Sequence, residues 1–358
     1  ELINFHIGGL GVETPHNQVT DPPREPPLKA GGYQASYLTG WTAAMASMVA
    51  LQHRRAQGRG QCVDIAAMES VASMLRYSFA AQSYHPEVPP MRRKYGFAWI
   101  IPCKDGHVSF LPFQFDHWWR SLVDMMGNPE WADTEVFDDL MGRVMNADVI
   151  EPLIIEWSMQ HNKQDIYQMA LARGLPGFPV NSMAEVVASK QLDFRQFFIA
   201  VDHSQLKGVV QPGAFCHYSE TPVNIDKGAP GLGQNNDAVL SDATVPWRTV
   251  ANSTTLSRLS VGGKKNQPLK GVRVAEFGWV LAVPHATAWL ANLGAEVIRI
   301  ESNCRLDLVR TSPTGCADGI PGVNRSSFFN GLNYGKKSIT LDLTRPEGLA
   351  LARELIAH

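Results

Sequence analysis

Apolar residues recur at helical spacing from Ser36 onward. Leu38, Trp41, Met45, Met48 and Val49 lie along one stripe, and the glycines of "QGRGQ" (57–61) end the helix this predicts. "CVDIA" (62–66) reads as a short strand, and "AMESVASMLRYSFAAQ" (67–82) returns to helical spacing. Upstream, "ELINFHIGGLG" opens in an alternating apolar run, as a chain entering mid-strand would. In "FAWIIPCKDGHVSFLPF" (97–113), two apolar stretches flank Lys104-Asp105-Gly106, the strongest hairpin signal in the chain. Helical patterns follow to about residue 172. "GLPGFPVNSMAEV" (174–186) is then a loop in which Asn181 or Ser182 caps the next helix. Short strands are expected within 208–222, and a glycine turn leads into a helix within 231–240.

Residues 241–267 break the pattern: they are rich in Ser, Thr and Gly without a sustained period, and read as a linker. A β-α-β unit follows. "KGVRVAEFG" supplies a strand, "HATAWLANL" a helix with Pro284 at its start and Gly294 at its stop, and "EVIRIE" the next strand. "KKSITLDL" is a further strand, and Thr344 with Glu347 makes a capping box around Pro346. Such spacing predicts an α/β fold with a parallel, Rossmann-like sheet. A smaller α+β domain is expected over about 97–200. No G-x-G-x-x-G follows the first strand, which argues against a dinucleotide site.

Composition narrows the choices. The 358 residues, 44% of them hydrophobic, are enough for two or three packed units. With 32 Lys+Arg against 34 Asp+Glu and no basic block, nucleic-acid binding has little support. Cys62, Cys103, Cys216, Cys304 and Cys316 are scattered and odd in number, so a reducing, cytoplasmic setting without a structural metal is expected. No apolar run approaches the roughly 18 residues of a membrane span. The first residue is Glu1, and both ends fall inside regular patterns, so the chain reads as an excerpt of a longer polypeptide.

"PLKGVRVAEFGWVLAVPHATAWLANLGAEVIRIE" (268–301), then Asp307, Arg310 and "LNYGKKSITLDLTRPEG" (332–348), resembles the opening stretch of class III CoA-transferases, the CaiB/BaiF family that includes formyl-CoA transferase. "GGLG", "RRAQGRGQCVDIAAMES", "IIPCKDGHVSF", "RGLPGFPVNSMAEV" and "GLGQNNDAVL" resemble its middle and later parts. Here the later part comes first. Either two copies are fused in tandem, with 1–240 from the first and 268–358 from the second, or one copy is circularly permuted; the tandem reading is preferred. Family members form interlocked dimers, so the resemblance implies an interlocked homodimer or a pseudo-dimer within one chain. The fused layout is similar to that of the dimethylsulfoniopropionate CoA-transferase/lyase, which releases dimethyl sulfide.

The resemblance also implies a chemistry: coenzyme A passes from an acyl-CoA to a small carboxylic acid through an aspartyl intermediate. The family aspartate lies in a pattern like A-D-Y-L-x-G, and "QASYLTG" places Ser36 there. A serine needs a neighbouring base, and no His, Lys or acid is near it in sequence, so Ser36 reads as a helix N-cap at a degenerate catalytic position. The active aspartate is then expected in the second copy, outside this chain. A non-catalytic CoA-binding or structural partner of an active copy is the other reading. Carried over position by position, Leu281, Ala282, Ser302, Leu341, Asp342, Leu343 and Thr344 match residues around the family's CoA site, Ser302 where a basic residue is common. Lys336 and Lys337 read as a solvated turn within reach of phosphates, and Asp307 with Arg310 as a local pair. The glycine-rich loop over the substrate has no counterpart in "RRKYGFAWIIP" (92–102). Trp99, His117 and Trp118 are aromatic candidates near it or packing residues, and Trp99, Trp118 and Trp119 are candidates for a cation–π cage around a sulfonium.

Overall fold

The computed structural model describes residues 1–14, 24, 26–84, 100–110, 115–201, 208–225, 228–241, 267–310, 316, 320 and 322–357. Residues 242–266 of the expected linker and the 92–99 part of the substrate loop, with Trp99, therefore lie outside the described residues. The chain divides into two compact units, one of residues 1–96 with 260–358 and the other of residues 97–259.

The first stretch of the first unit is helical. Leu2–Ile7 is a helix rather than the expected strand. Its alternation is overridden by packing: Phe5 is fully buried against Ala35 and Val71, a contact that a helix here supplies and a lone strand does not. The helix Gln34–Gln57 runs 24 residues and ends at Gly58, whose φ of 71° lies in the left-handed region glycine favours. "CVDIA" forms no strand; Val63 is exposed and the segment is irregular. The helical run beyond it splits into Ala67–Ala72 and Arg76–Tyr84 around a single 3-10 turn, and Arg76–Tyr84 packs on the later helix Ser327–Asn333.

The second unit holds the hairpin. Strands β1 (Ile100–Cys103) and β2 (Gly106–Phe110) pair antiparallel with Cys103 opposite Gly106, and β3 (Gly177–Pro179) adds to β2. Their inward faces join Trp119, Leu122, Ile150, Ile154 and Ile166 in one core. Ser182 caps Met183–Val187 in a capping box with Glu185. β4 (Phe198–Val201) and β5 (Val209–Pro212) form a separate antiparallel pair.

The first unit then completes itself with a parallel sheet. β6 (Arg273–Glu276), β7 (Glu296–Glu301) and β8 (Lys337–Thr340) lie in the order β6-β7-β8, each pair parallel. The helix Ala282–Asn292 links β6 to β7, with Pro284 in its first turn, where proline's missing N–H costs nothing. Gly294 follows its end at φ 104°. Ahead of the helix Pro346–Ala357, where a capping box with Glu347 was expected, Thr344 donates its hydroxyl to Asp342 at 2.6 Å. Among the described residues no helix is long and apolar enough to cross a membrane.

Candidate functional site at the strand ends and the Ser36 helix

In a parallel sheet, ligands sit beyond the carboxyl ends of the strands. The turn after β6 is tight. Gly278 has no room for a Cβ, which would stand 2.2 Å from the Val283 Cβ. Val280 follows at φ 64°, a left-handed conformation that a β-branched side chain rarely takes. Leu281 then caps the helix that Ala282 begins, and both are exposed. Ser302 directly follows β7, half-buried, its Oγ accepting the Cys304 N–H at 3.2 Å. Leu341, Asp342, Leu343 and Thr344 directly follow β8. The seven carried-over positions thus all fall at or just past a strand end or its turn.

Beneath them lies a buried ionic cluster. Arg299, only 1% exposed, donates to Glu276 and Asp307 through short contacts, to Glu301 at 2.9 Å and to the Gly278 carbonyl at 3.1 Å. Lys336 reaches Glu276 at 2.9 Å and the Pro284 carbonyl at 2.8 Å, while Thr287 donates to Glu276 at 2.5 Å. Arg310 binds Glu301 at 2.6 Å and stacks on the Phe329 ring. Burial pushes the Glu301 carboxyl up, but hydrogen bonds from Arg310, Arg299 and Ser338 outweigh it and hold the group at about 2. Burial likewise pushes the Lys336 ammonium down, further than Glu276 restores it.

This cluster revises two readings from sequence. Asp307 and Arg310 do not pair through their side chains; Asp307 serves Arg299 and Arg310 serves Glu301. Lys336 is not a solvated turn residue: it is 2% exposed in its side chain and committed to Glu276, while Lys337 is exposed and pairs with Glu296.

The Ser36 position is built differently. The helix starts at Gln34, with Tyr33 as an N-cap that supplies no side-chain hydrogen bond. Ser36 is therefore not the cap, and the free N–H groups are taken by Glu1. The Glu1 carboxylate accepts from the Ala35 N–H at 3.3 Å, the Ser36 N–H at 2.9 Å and the Ser36 hydroxyl at 3.0 Å, with Lys29 at 3.5 Å. Burial would raise the Glu1 carboxyl, but these hydrogen bonds and the Lys29 charge hold it below its ordinary range. Space thus supplies the acid and the lysine that the neighbouring sequence lacks. Nothing in the local sequence signals them, because Glu1 is 35 residues away.

Other candidates fall elsewhere. Trp119 is 4% exposed and packs with Trp131 and Phe137, so its ring belongs to a core rather than to an open cage. Trp118 is half-buried against Phe115, and His117 is exposed. A cavity of about 610 Å³ between Arg76–Tyr84 and Ser327–Asn333 is lined by Arg76, Phe79, Tyr84, Asn330 and Tyr334, none of them a carried-over position.

Comparison with known proteins gives these features a family. The sequence profile described as CoA-transferase family III matches residues 13–236 and 269–358. The beta subunit of a succinyl-CoA–L-malate CoA-transferase from Chloroflexus aurantiacus is 26% identical over 227 residues, covering 62% of this chain and 56% of that protein. A Mycobacterium tuberculosis protein named a probable CoA-transferase is 26% identical over 331 residues, covering 88% of this chain but 38% of that protein. In fold, the chain is similar to a CaiB/BaiF family protein from Brucella suis, with a TM-score of 0.55 at 23% identity over 66% of this chain and 62% of that one. The chain spans about half the length of the Chloroflexus subunit. With both of its long stretches matched by the profile, the chain belongs to CoA-transferase family III.

Proposed function

We propose that this chain is part of a class III CoA-transferase that moves coenzyme A between an acyl-CoA thioester and a carboxylic acid. We further propose that it spans the later part of one copy, 1–240, and the opening of a second, 268–358. The observation that carries the reading is the family match in two blocks, the second bearing the motifs that resemble the family's opening stretch. The Mycobacterium tuberculosis relative supports the order, since it aligns with 88% of this chain within a much longer protein. CoA is placed at Leu281, Ala282, Ser302 and Leu341–Thr344, at the ends of the parallel strands. The relative from Chloroflexus makes succinyl-CoA and L-malate the first donor and acceptor to assay.

The reaction needs a carboxylate nucleophile. It attacks the thioester carbon and expels CoA thiolate, giving a mixed anhydride; thiolate returns to the aspartyl carbonyl and releases the first acid. The acceptor carboxylate then attacks the aspartyl thioester, and thiolate returns once more to make the new acyl-CoA. Ser36 is unsuited to this role. Its hydroxyl donates to Glu1, and a carboxylate held below its ordinary range is too weak a base to deprotonate it. The nucleophile is therefore assigned to the aspartate of the second copy. A pseudo-dimer fits the Ser36 helix, which buries only Ala35 fully and leaves Tyr37, Trp41 and Met48 exposed for another copy to cover.

The test uses the full-length protein. Ser36→Ala should leave CoA transfer between succinyl-CoA and malate within about twofold of the unchanged enzyme, because it removes no reacting group. Trapping with hydroxylamine after acyl-CoA addition, then mass spectrometry, should place the hydroxamate on an aspartate of the second copy. Loss of turnover in Ser36→Ala with circular dichroism unchanged would refute the degenerate-site reading. An absence of any trapped aspartate would favour a non-catalytic partner instead.

A further inference from the structure

We propose that Asp307 and Arg299 are positioning residues that clamp the turn 277–281 in its CoA-receiving shape, with Val280 as the strained element they hold. The inference rests on the placement of CoA at this turn.

The turn is tied at two points to one buried ion pair. Arg299 donates to the Gly278 carbonyl at 3.1 Å, and the Val280 N–H donates to Asp307 Oδ2 at 3.2 Å. Arg299 and Asp307 bind each other and are 1% and 2% exposed. Arg299 is in turn fixed by Glu276 on β6 and Glu301 on β7, and the second Asp307 oxygen accepts the Val309 N–H at 3.2 Å. Neither residue reaches solvent as a binding group would. What they reach is the backbone on either side of Trp279.

Val280 shows why a clamp is needed. A glycine would take φ 64° without penalty, whereas a β-branched residue leaves that region unless its surroundings force it. The direction of the peptide after Val280 sets where Leu281 and Ala282 stand at the helix start. If the Val280 N–H loses its acceptor, the residue relaxes toward negative φ and both positions shift. Replacing Val280 by glycine removes the penalty, so the turn no longer depends on Asp307.

That dependence is what the experiment reads. Four forms of the full-length protein are compared: unchanged, Asp307→Ala, Val280→Gly and the double variant. Amide hydrogen exchange is followed across 277–282, coenzyme A affinity by calorimetry, and stability by thermal melting. Asp307→Ala should speed exchange in the turn and weaken CoA about tenfold, the scale of one hydrogen bond to a charged group. Val280→Gly alone should stay within about twofold. The double variant should regain most of the affinity while melting as low as Asp307→Ala, because Arg299 is still short of a partner. A residue with only a structural role would not give recovered affinity without recovered stability. If Asp307→Ala fails to fold, Asp307→Asn carries the same comparison. Unchanged exchange in the Asp307 variant, or a double variant no tighter than it, overturns the clamp. Failure of the unchanged chain to bind coenzyme A overturns the CoA placement itself, a result the exchange data cannot produce.

Discussion

The first unit contains two charged constellations of opposite construction. Around Arg299, Glu276, Glu301, Asp307, Arg310 and Lys336 interlock with little access to water, and each acid meets a cation. At the Ser36 helix, Glu1 and Lys29 gather round an exposed hydroxyl, and the Glu1 carboxylate spends its oxygens on backbone N–H groups. In the buried cluster a charge cannot be removed without stranding another in low dielectric. At the Ser36 helix the Lys29 and Glu1 side chains keep partial access to water, at 23% and 14%, so a lost partner is partly screened. The buried cluster ties β6 and β7 to the turn after β6 through Arg299, whereas the Ser36 position rests on a single carboxylate. There an acid from a distant segment, Glu1, supplies the negative charge that suits a helix start.

The largest expected effect is at the centre of the buried cluster. Arg299→Met removes the cation shared by Glu276, Glu301 and Asp307, leaving buried carboxylates short of a partner. Breaking a buried pair from one side costs about 3–5 kcal/mol, so urea or thermal unfolding should show a loss of that order. A loss below about 1 kcal/mol would mean that water enters the cluster freely, and the contrast with the Ser36 helix would collapse.

Acid should separate the two regions next. Glu301 is held at about 2 in the folded chain, against an ordinary value of 4.5. A depressed folded pKa gives stability that is present above the ordinary value and lost as pH falls from about 4.5 toward 2. The full difference corresponds to roughly 3 kcal/mol. Glu301→Gln should therefore lower stability at pH 7 and flatten its decline between those limits. Parallel acid curves for the two proteins would show that Glu301 is not the group responsible.

How much of this was legible in the sequence follows from the range of each interaction. The β-α-β unit, the hairpin at Lys104-Asp105-Gly106 and the Ser182 cap depend on residues a few positions apart, and periodicity with turn chemistry exposes them. The Leu2–Ile7 segment misled because its alternation suits a strand, while Phe5 is buried against Ala35 and Val71, which lie far along the chain. Asp307 and Arg310 looked like a pair because they are neighbours, but the sheet brings Arg299 and Glu301 closer to each. Lys336 looked solvated beside Lys337 because sequence does not show that Glu276 lies beneath one of them alone. The helix around Ser36 was legible from its apolar spacing, whereas the contact of Ser36 with Glu1 was not. No local rule joins residues 35 apart.

The smallest expected effect tests why the serine is tolerated. Ser36→Asp installs the residue type proposed for this position in an active copy but sets a second carboxylate near 3.0 Å from Glu1, where Ser36 Oγ now donates. Two carboxylates so close cannot both ionise freely, and the proton they share is released only at a raised pH. A raised folded pKa favours the folded state below it, and the repulsion is felt fully above it. Ser36→Asp should therefore melt a few degrees lower than the unchanged chain at pH 7, and the gap should close as pH falls below about 5. Glu1→Gln in the same background should narrow it at pH 7 as well, since the amide removes one of the two charges while its oxygen still accepts the Ser36 N–H, at the cost of the Ala35 N–H bond. The opposing force is the helix start itself, which welcomes an acid in its first turn. Should Ser36→Asp melt higher at pH 7, that attraction exceeds the repulsion, and Glu1 is not what bars an aspartate from this position.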